Sequence, residues 1–172
     1  QKLHEVNTCI ILECHFASIT LTNHILERLL KVALVFNETG IKRVRSIELN
    51  EHYGEAHKKY QGASLSKTIN QSCSAGLITK EHKKYLNREI LDKLRNGYSH
   101  SDPNKIIKGK NGQEVYVTKE NKTDLKLDPF LQSQILTNLA QQEALPYYKY
   151  VFDLIYHIEK ILIEKEKKRP KK

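Results

Sequence analysis

The chain has 172 residues, with 29 Lys and Arg against 20 Asp and Glu, so its formal charge at pH 7 is +9. Hydrophobic residues make up 39% of it and charged residues 28%, a composition that supports a folded core and excludes wholesale disorder. With only 7 Gly and 4 Pro, collagen-like and low-complexity classes are excluded. The 3 Cys cannot all pair internally, which favours a reducing compartment over a secreted disulfide scaffold.

No apolar run reaches the roughly 18 residues that a membrane span needs, and no secretory leader opens the sequence. We therefore expect a cytoplasmic protein without a membrane partner. The chain contains no Met and begins with Gln1, so we expect an excised domain or a trimmed chain, with further domains of a larger protein among its partners. Residues 165–172 carry six basic side chains and one acid, which predicts a solvated basic tail that can add attraction to phosphate.

Apolar residues follow spacings of three and four over residues 3–36, which predicts one long helix that ends at Gly40. They form two rows, more than one small core requires, so we expect part of this helix to face a second surface such as another protomer. Residues 41–62 are polar and predict a loop or short helices. A short helix is predicted over residues 63–73, with a break at Gly76.

The next helix is predicted to begin at Thr79, a good N-cap residue, and to be disturbed at Gly97. The pattern then changes, because residues 105–118 alternate around the pair Asn111 and Gly112. This alternation predicts a β-hairpin, which we expect to lie against the helices because an isolated hairpin is marginally stable.

Pro129 predicts the first turn of a further helix, which we expect to end near Pro146. A last helix is predicted to reach Leu162 before the basic tail. The predicted fold class is therefore all-α, an antiparallel helical bundle with a small β-hairpin insertion. Residues 1–164 form one predicted domain, and residues 165–172 form the tail.

Common catalytic motifs are missing from the sequence. The sequence has no glycine-rich phosphate loop, no GxSxG elbow and no HExxH helix. P-loop NTPases, common serine hydrolases and simple zinc peptidases are therefore not leading candidates. Cys9 and Cys14 do not share a helix face, and we expect the cysteines to be buried small side chains rather than zinc ligands. We expect His52 and His57 at the surface, and His157 to be a structural histidine with its hydrogen bonds satisfied.

One polar cluster suits chemistry, formed by Arg95, Asn96 and His100 at a helix end. Arg supplies a fork of donors for phosphate oxygens, His exchanges a proton near neutral pH, and Asn can position either one. Together they suit phosphodiester cleavage without a metal. Two plainer interpretations stay open, since this spacing also arises by chance, and since Arg and His near a helix C-terminus stabilise the helix dipole.

The region around this cluster resembles the HEPN domain family. That family carries an R-x4–6-H motif, usually with Asn, Asp or His directly after the Arg, and Arg95, Asn96 and His100 match it position by position. The opening helix over residues 17–31 also resembles the family's long first helix, and the resemblance spans roughly residues 3–103. The predicted hairpin departs from the simplest family pattern, and as an insertion it would shape a substrate groove or bind another domain.

The resemblance implies a helical bundle that forms a homodimer, here through the first helix and the motif region, with the motifs of both protomers in one cleft. It implies a metal-independent endoribonuclease without a cofactor, acting on RNA in a toxin or phage-defence role and leaving a 2′,3′-cyclic phosphate and a 5′-hydroxyl. In this role Arg95 would bind the phosphate, His100 would act as general base or acid, and Asn96 would orient His100 or the scissile group.

Two other hypotheses remain open. A non-catalytic HEPN-like interaction module of a larger protein would have a filled or one-sided motif cleft. A basic helical nucleic-acid-binding domain would instead carry a basic stripe that is independent of Arg95. The net charge of +9 fits an RNA partner and predicts salt-sensitive binding.

Overall fold

The computed structural model describes residues 1–98 and 129–169, and all regular structure in these two ranges is helical. The prediction of an all-α fold is confirmed. The hairpin predicted over residues 105–118 lies outside the described residues, as does His100. In chain order the elements are α1 (Lys2–Ile11), α2 (His15–Thr39), a 3₁₀ turn (Ser46–Glu48), α3 (Leu49–Gln61), α4 (Leu65–Ser74), α5 (Lys80–Tyr85), a π-helix (Leu86–Tyr98) and α6 (Pro129–Lys167).

The chain divides into two compact units, and each has an apolar core. The first unit contains the described residues of Gln1–Asn23 and Arg88–Lys149, and the second those of His24–Asn87 and Tyr150–Lys172. The first core includes Val6, Ile19, Ile90, Leu94, Tyr98, Ala140, Ala144 and Tyr147. The second core includes Leu26, Leu30, Leu34, Leu65, Ile69, Leu77, Leu86, Leu154, Ile158 and Leu162.

The single long helix predicted over residues 3–36 is wrong, because the chain breaks between α1 and α2. Glu13 adopts a left-handed conformation (φ 57°), and Cys14 N–H donates to Cys9 O at 2.7 Å, which closes α1 in a Schellman motif. The break has a packing reason. Val6 and Ile19 are both fully buried in the first unit, whereas one straight helix would place them roughly 140° apart around its axis.

The two glycine helix ends predicted from the sequence are confirmed. Gly40 follows α2 with φ 87°, and its N–H donates to Phe36 O at 2.8 Å. Gly76 follows α4 with φ 65°, a conformation that glycine adopts without the steric cost of a Cβ. Between these two ends, the segment predicted as a loop or short helices is mostly α3, a single helix of 13 residues that buries Ala56 and Tyr60.

The helix end predicted near Pro146 is also wrong, because α6 continues through this residue to Lys167. A proline inside a helix removes one backbone donor and costs about 3 kcal/mol. Ala144 and Tyr147, on either side of Pro146, are buried in the first unit. Burial of these flanking side chains offsets the cost and keeps the helix continuous.

Basic residues at the end of α6 meet helix ends within the second unit. Lys165 Nζ donates to Asn37 Oδ1 at 2.7 Å and also to Ala75 O, the residue that ends α4. Arg169 donates to Asn37 O, in the last turn of α2, at 2.5 Å. Cations stabilise the partial negative charge of helix C-termini, so these contacts fasten α6 to the ends of α2 and α4.

Candidate functional site

The helix that carries the Arg95 cluster starts at the predicted N-cap. Thr79 Oγ1 accepts a hydrogen bond from His82 N–H at 3.1 Å, and His82 Nδ1 accepts one in return from Thr79 N–H at 3.5 Å. This reciprocal arrangement is a capping box with His in the place usually held by Glu or Gln. It fixes where α5 begins, and the chain runs from α5 directly into the π-helix.

The π-helix Leu86–Tyr98 was not predicted, since the sequence indicated a disturbance only at Gly97. Its hydrogen bonds join residues five apart, and such turns occur frequently at functional sites. Ile90, Leu94 and Tyr98, four apart, are all buried in the first unit. In an α-helix, which has about 3.6 residues per turn, side chains four residues apart shift steadily around the helix axis. The wider turn of a π-helix reduces this shift.

The structure describes two of the three residues predicted for the site. Arg95 and Asn96 both lie on the π-helix, near its C-terminal end. Arg95 is half-buried and directly follows the buried Leu94. His100 lies outside the described residues, so its proposed role with Arg95 stays a prediction.

Tyr98 anchors the last described turn of this helix, a role that was not predicted from the sequence. Its ring packs edge to face against Phe16, with ring centroids 5.2 Å apart, and its hydroxyl donates to Leu136 O at 3.5 Å. Burial raises the pKa of Tyr98 above its ordinary value, and the charge of Glu143 adds to the effect. Tyr98 is therefore a neutral, packed anchor three residues after Arg95.

A buried polar group lies on α2 in the same unit. Asn23 Oδ1 accepts a hydrogen bond from the Tyr147 hydroxyl at 2.8 Å, and Thr22 Oγ1 donates to Ser18 O at 2.7 Å. Asn23 Nδ2 and Ser18 Oγ are buried without a hydrogen-bond partner among the described residues. The bond between Asn23 and Tyr147 joins α2 to α6 across 124 residues of sequence, which explains why sequence reasoning missed it.

Large apolar side chains are exposed beside the break between α1 and α2. Ile11 is 78% exposed and Leu12 is 66% exposed. Phe16, whose ring contacts Tyr98, is also exposed in part. The sequence predicted that part of the first helix faces a second surface. These residues, here called the junction patch, offer such a surface in the first unit.

The cysteines, and one of the two histidines of α3, differ from the sequence predictions. The prediction that the cysteines are buried is wrong, because Cys14 is exposed and both Cys9 and Cys73 are half-buried; all three are free thiols. Across residues 1–98 and 129–169, no group of three or more His, Cys, Asp or Glu side chains is placed to hold a metal ion. His57 is exposed, whereas His52 is half-buried, with its Nε2 buried and unpartnered among the described residues.

His157 was predicted to be a structural histidine rather than a catalyst, with its hydrogen bonds satisfied, and the second part of this prediction is wrong for one ring nitrogen. Its Nε2 is buried and has no hydrogen-bond partner in the described part of the chain. Its ring lies 4.7 Å from the ring of His82, centroid to centroid, within the second unit. The pairing escaped the sequence analysis because the two residues lie far apart in the chain.

Comparison with known proteins gave no match: no family model, no curated protein and no solved structure matches this chain. Within the described residues, no helix combines the length and the apolar character that crossing a membrane requires.

Proposed function

We propose that this chain is a metal-independent endoribonuclease of the HEPN type, with Arg95, Asn96 and His100 at its active site. The observation that carries the proposal is the position of Arg95, half-buried on a π-helix. Its guanidinium carries several donors in a fixed fork that matches phosphate oxygens. In the sequence, His100 follows Arg95 at the spacing of the family's motif.

The proposed reaction is an attack of the ribose 2′-hydroxyl on the adjacent phosphorus. The 2′ O–P bond forms, the P–O5′ bond breaks, and the products are a 2′,3′-cyclic phosphate and a 5′-hydroxyl. His100 accepts the proton of the 2′-hydroxyl or delivers one to the leaving oxygen, and Asn96 orients His100 or the scissile group. Arg95 stabilises the charge that develops on the phosphoryl oxygens.

The junction patch supports a homodimer as the active form. Ile11 and Leu12 expose apolar surface next to Phe16, which contacts Tyr98 at the end of the motif helix. An isologous pairing of two such patches would bury this surface and bring the two Arg95 side chains toward one cleft. The net charge of +9 suits an RNA substrate. A toxin or phage-defence role, in which cellular or invading RNA is cut, follows from the same family resemblance.

The same patch also favours the second candidate, a HEPN-like interaction module without catalysis. Exposed Ile11 and Leu12 would then bind another protein or protomer, and Arg95 would serve the helix end alone. The two candidates differ in one observable, which is cleavage of RNA by the intact dimer.

The test is cleavage of a mixed-sequence RNA in EDTA by the parent and by His100→Ala and Arg95→Ala. Each variant is first checked for helicity and oligomeric state. Cleavage by the parent that both variants lose, with 2′,3′-cyclic phosphate ends on the products, supports the endoribonuclease. Equal cleavage by all three points to a contaminating nuclease, and no cleavage by a folded dimer favours the interaction module.

A further inference from the structure

Four rings cluster between α5 and α6 in the second unit, away from the residues assigned to cleavage. Tyr85 and Tyr150 lie with ring centroids 4.4 Å apart at 45°. His82 contacts both Tyr150 (6.1 Å) and His157 (4.7 Å). Tyr85 is 37% exposed, so this ring of the cluster is accessible, and Tyr150 packs against it.

The cluster contains two buried polar atoms that lack a hydrogen-bond partner among the described residues. These are Tyr150 Oη and His157 Nε2. Leaving such an atom unpaired is unfavourable, and most buried polar atoms in native proteins are paired. Both atoms are enclosed within the second unit, so the surface that the cluster offers to a ligand is the exposed part of Tyr85.

Two basic residues lie on the same helix as the exposed ring. Lys80 and Lys84 are both exposed and stand one turn apart on α5, with Lys84 about 100° and Lys80 about 140° around the helix axis from Tyr85. Like charges at this spacing disfavour the helix slightly. An anionic partner along this row would remove the repulsion, and phosphate groups of a nucleic acid would do so at intervals along a strand.

We propose that Tyr85 is a stacking site for one base of single-stranded RNA, supported by Tyr150, with Lys80 and Lys84 contacting neighbouring phosphates. Bases of unpaired RNA stack on Tyr rings. The inference rests on the proposed function in taking RNA as the ligand, and it adds a binding site separate from Arg95.

The test measures binding without cleavage. A fluorescein-labelled 2′-O-methyl RNA lacks the 2′-hydroxyl nucleophile, so its anisotropy reports affinity alone. We expect Tyr85→Ala to weaken binding about tenfold and Tyr85→Phe to stay within about twofold of the parent. Tyr156→Ala is the matched control, because Tyr156 is 58% exposed on α6 and lies against another ring, Phe152 (5.1 Å). We expect it to bind like the parent.

The salt dependence separates the stacking ring from the cations. For a single strand, each lost phosphate contact lowers the slope of log affinity against log salt by about 0.7. Lys80→Ala and Lys84→Ala should each lower the slope by this amount, whereas Tyr85→Ala should leave it unchanged. A slope that Tyr85→Ala lowers as much as the lysine variants would overturn the stacking role.

Other outcomes also decide the matter. Equal affinity of Tyr85→Ala and Tyr156→Ala overturns the proposal, as does an RNA duplex that binds as tightly as the single strand and depends equally on Tyr85. Competition by an acidic polypeptide as effective as that by RNA assigns the surface to a protein instead. If the parent binds RNA through Tyr85 but never cleaves it, the stacking site stands and the endoribonuclease is overturned. If the parent cleaves RNA, and neither cleavage nor binding depends on Tyr85, the endoribonuclease stands and the stacking site is overturned.

Discussion

The ring of Phe16 packs edge to face against the ring of Tyr98, with centroids 5.2 Å apart and planes at 74°. Phe16 lies in the first turn of α2, directly after the break at Glu13, and Tyr98 is the last described residue of the π-helix. Such a pair contributes about 0.5–1.5 kcal/mol beyond the burial of its area. Within the first unit, this contact holds the end of the helix that carries Arg95.

Substitution of Tyr98 should separate the role of its ring from that of its hydroxyl. Tyr98→Ala should lower the free energy of unfolding by about 3 kcal/mol or more, because it removes a buried aromatic ring. Tyr98→Phe loses only a long hydrogen bond to Leu136 O and should cost about 1 kcal/mol or less. Urea denaturation measures both, and equal losses for the two variants would contradict an anchor that acts through its ring.

The left-handed residue between α1 and α2 offers a stabilising substitution. Glu13→Gly should raise the free energy of unfolding by about 1 kcal/mol, since glycine adopts φ 57° without the steric cost that Glu bears. Asn7→Gly, at an exposed position inside α1, should instead lower it by a few tenths of a kcal/mol. If thermal and urea unfolding show destabilisation by both glycines, the break at Glu13 is not formed in solution.

Stability should depend on pH through His82. Burial lowers the pKa of His82 below its ordinary value of 6.5, and the neighbouring His157 lowers it further against the opposing effect of Glu81. The unfolded chain then binds the proton more readily, so this contribution is complete above pH 6.5 and is lost as the pH falls through the folded-state pKa. His82→Gln keeps an acceptor at the capping-box position and removes the titration.

The measurement is the free energy of unfolding from about pH 7.5 to about pH 5. The parent should lose more stability over this range than His82→Gln. His57→Gln, a change at an exposed histidine of α3, should follow the parent. Identical profiles for the parent and His82→Gln would show that His82 is not buried against His157.

The basic end of α6 should contribute to stability through Lys165. Burial, together with the charge of Arg169, lowers the pKa of Lys165, and its Nζ donates to Asn37 Oδ1 and Ala75 O. Lys165→Met should cost about 1–3 kcal/mol by removing the donor of both bonds. Lys168→Met, at an exposed position, should change stability by about 0.5 kcal/mol or less. Equal small effects in urea denaturation would make Lys165 part of a solvated tail.

Features set by local backbone chemistry could be predicted from the sequence. Gly40 and Gly76 end helices in conformations that favour glycine, and Thr79 caps the helix that follows it. Features set by packing could not. The left-handed Glu13 and the helical Pro146 both contradict local preference, and each is held by burial of side chains on either side of it.

The candidate site was predictable in the same limited way. Arg95 was predicted at a helix end, and it lies on the π-helix, three residues before Tyr98, the last described residue of that range. The π-helical turn was missed because Ile90, Leu94 and Tyr98 have a spacing that fits both helix types. The partnership of His82 with His157 depends on residues 75 positions apart, which no local pattern reveals.

A matched pair of arginines on one helix tests whether Arg95 serves catalysis. Arg88 is exposed on the same π-helix, where its Nε lies 3.7 Å from Oε1 of Glu89. Arg88→Ala makes the same chemical change as Arg95→Ala. The measurement is the RNA cleavage rate in EDTA for the parent and both variants, each with the parent's helicity and oligomeric state. We expect Arg95→Ala to lose roughly a hundredfold or more in rate and Arg88→Ala to stay within about threefold. Equal rates for the two variants would contradict the account.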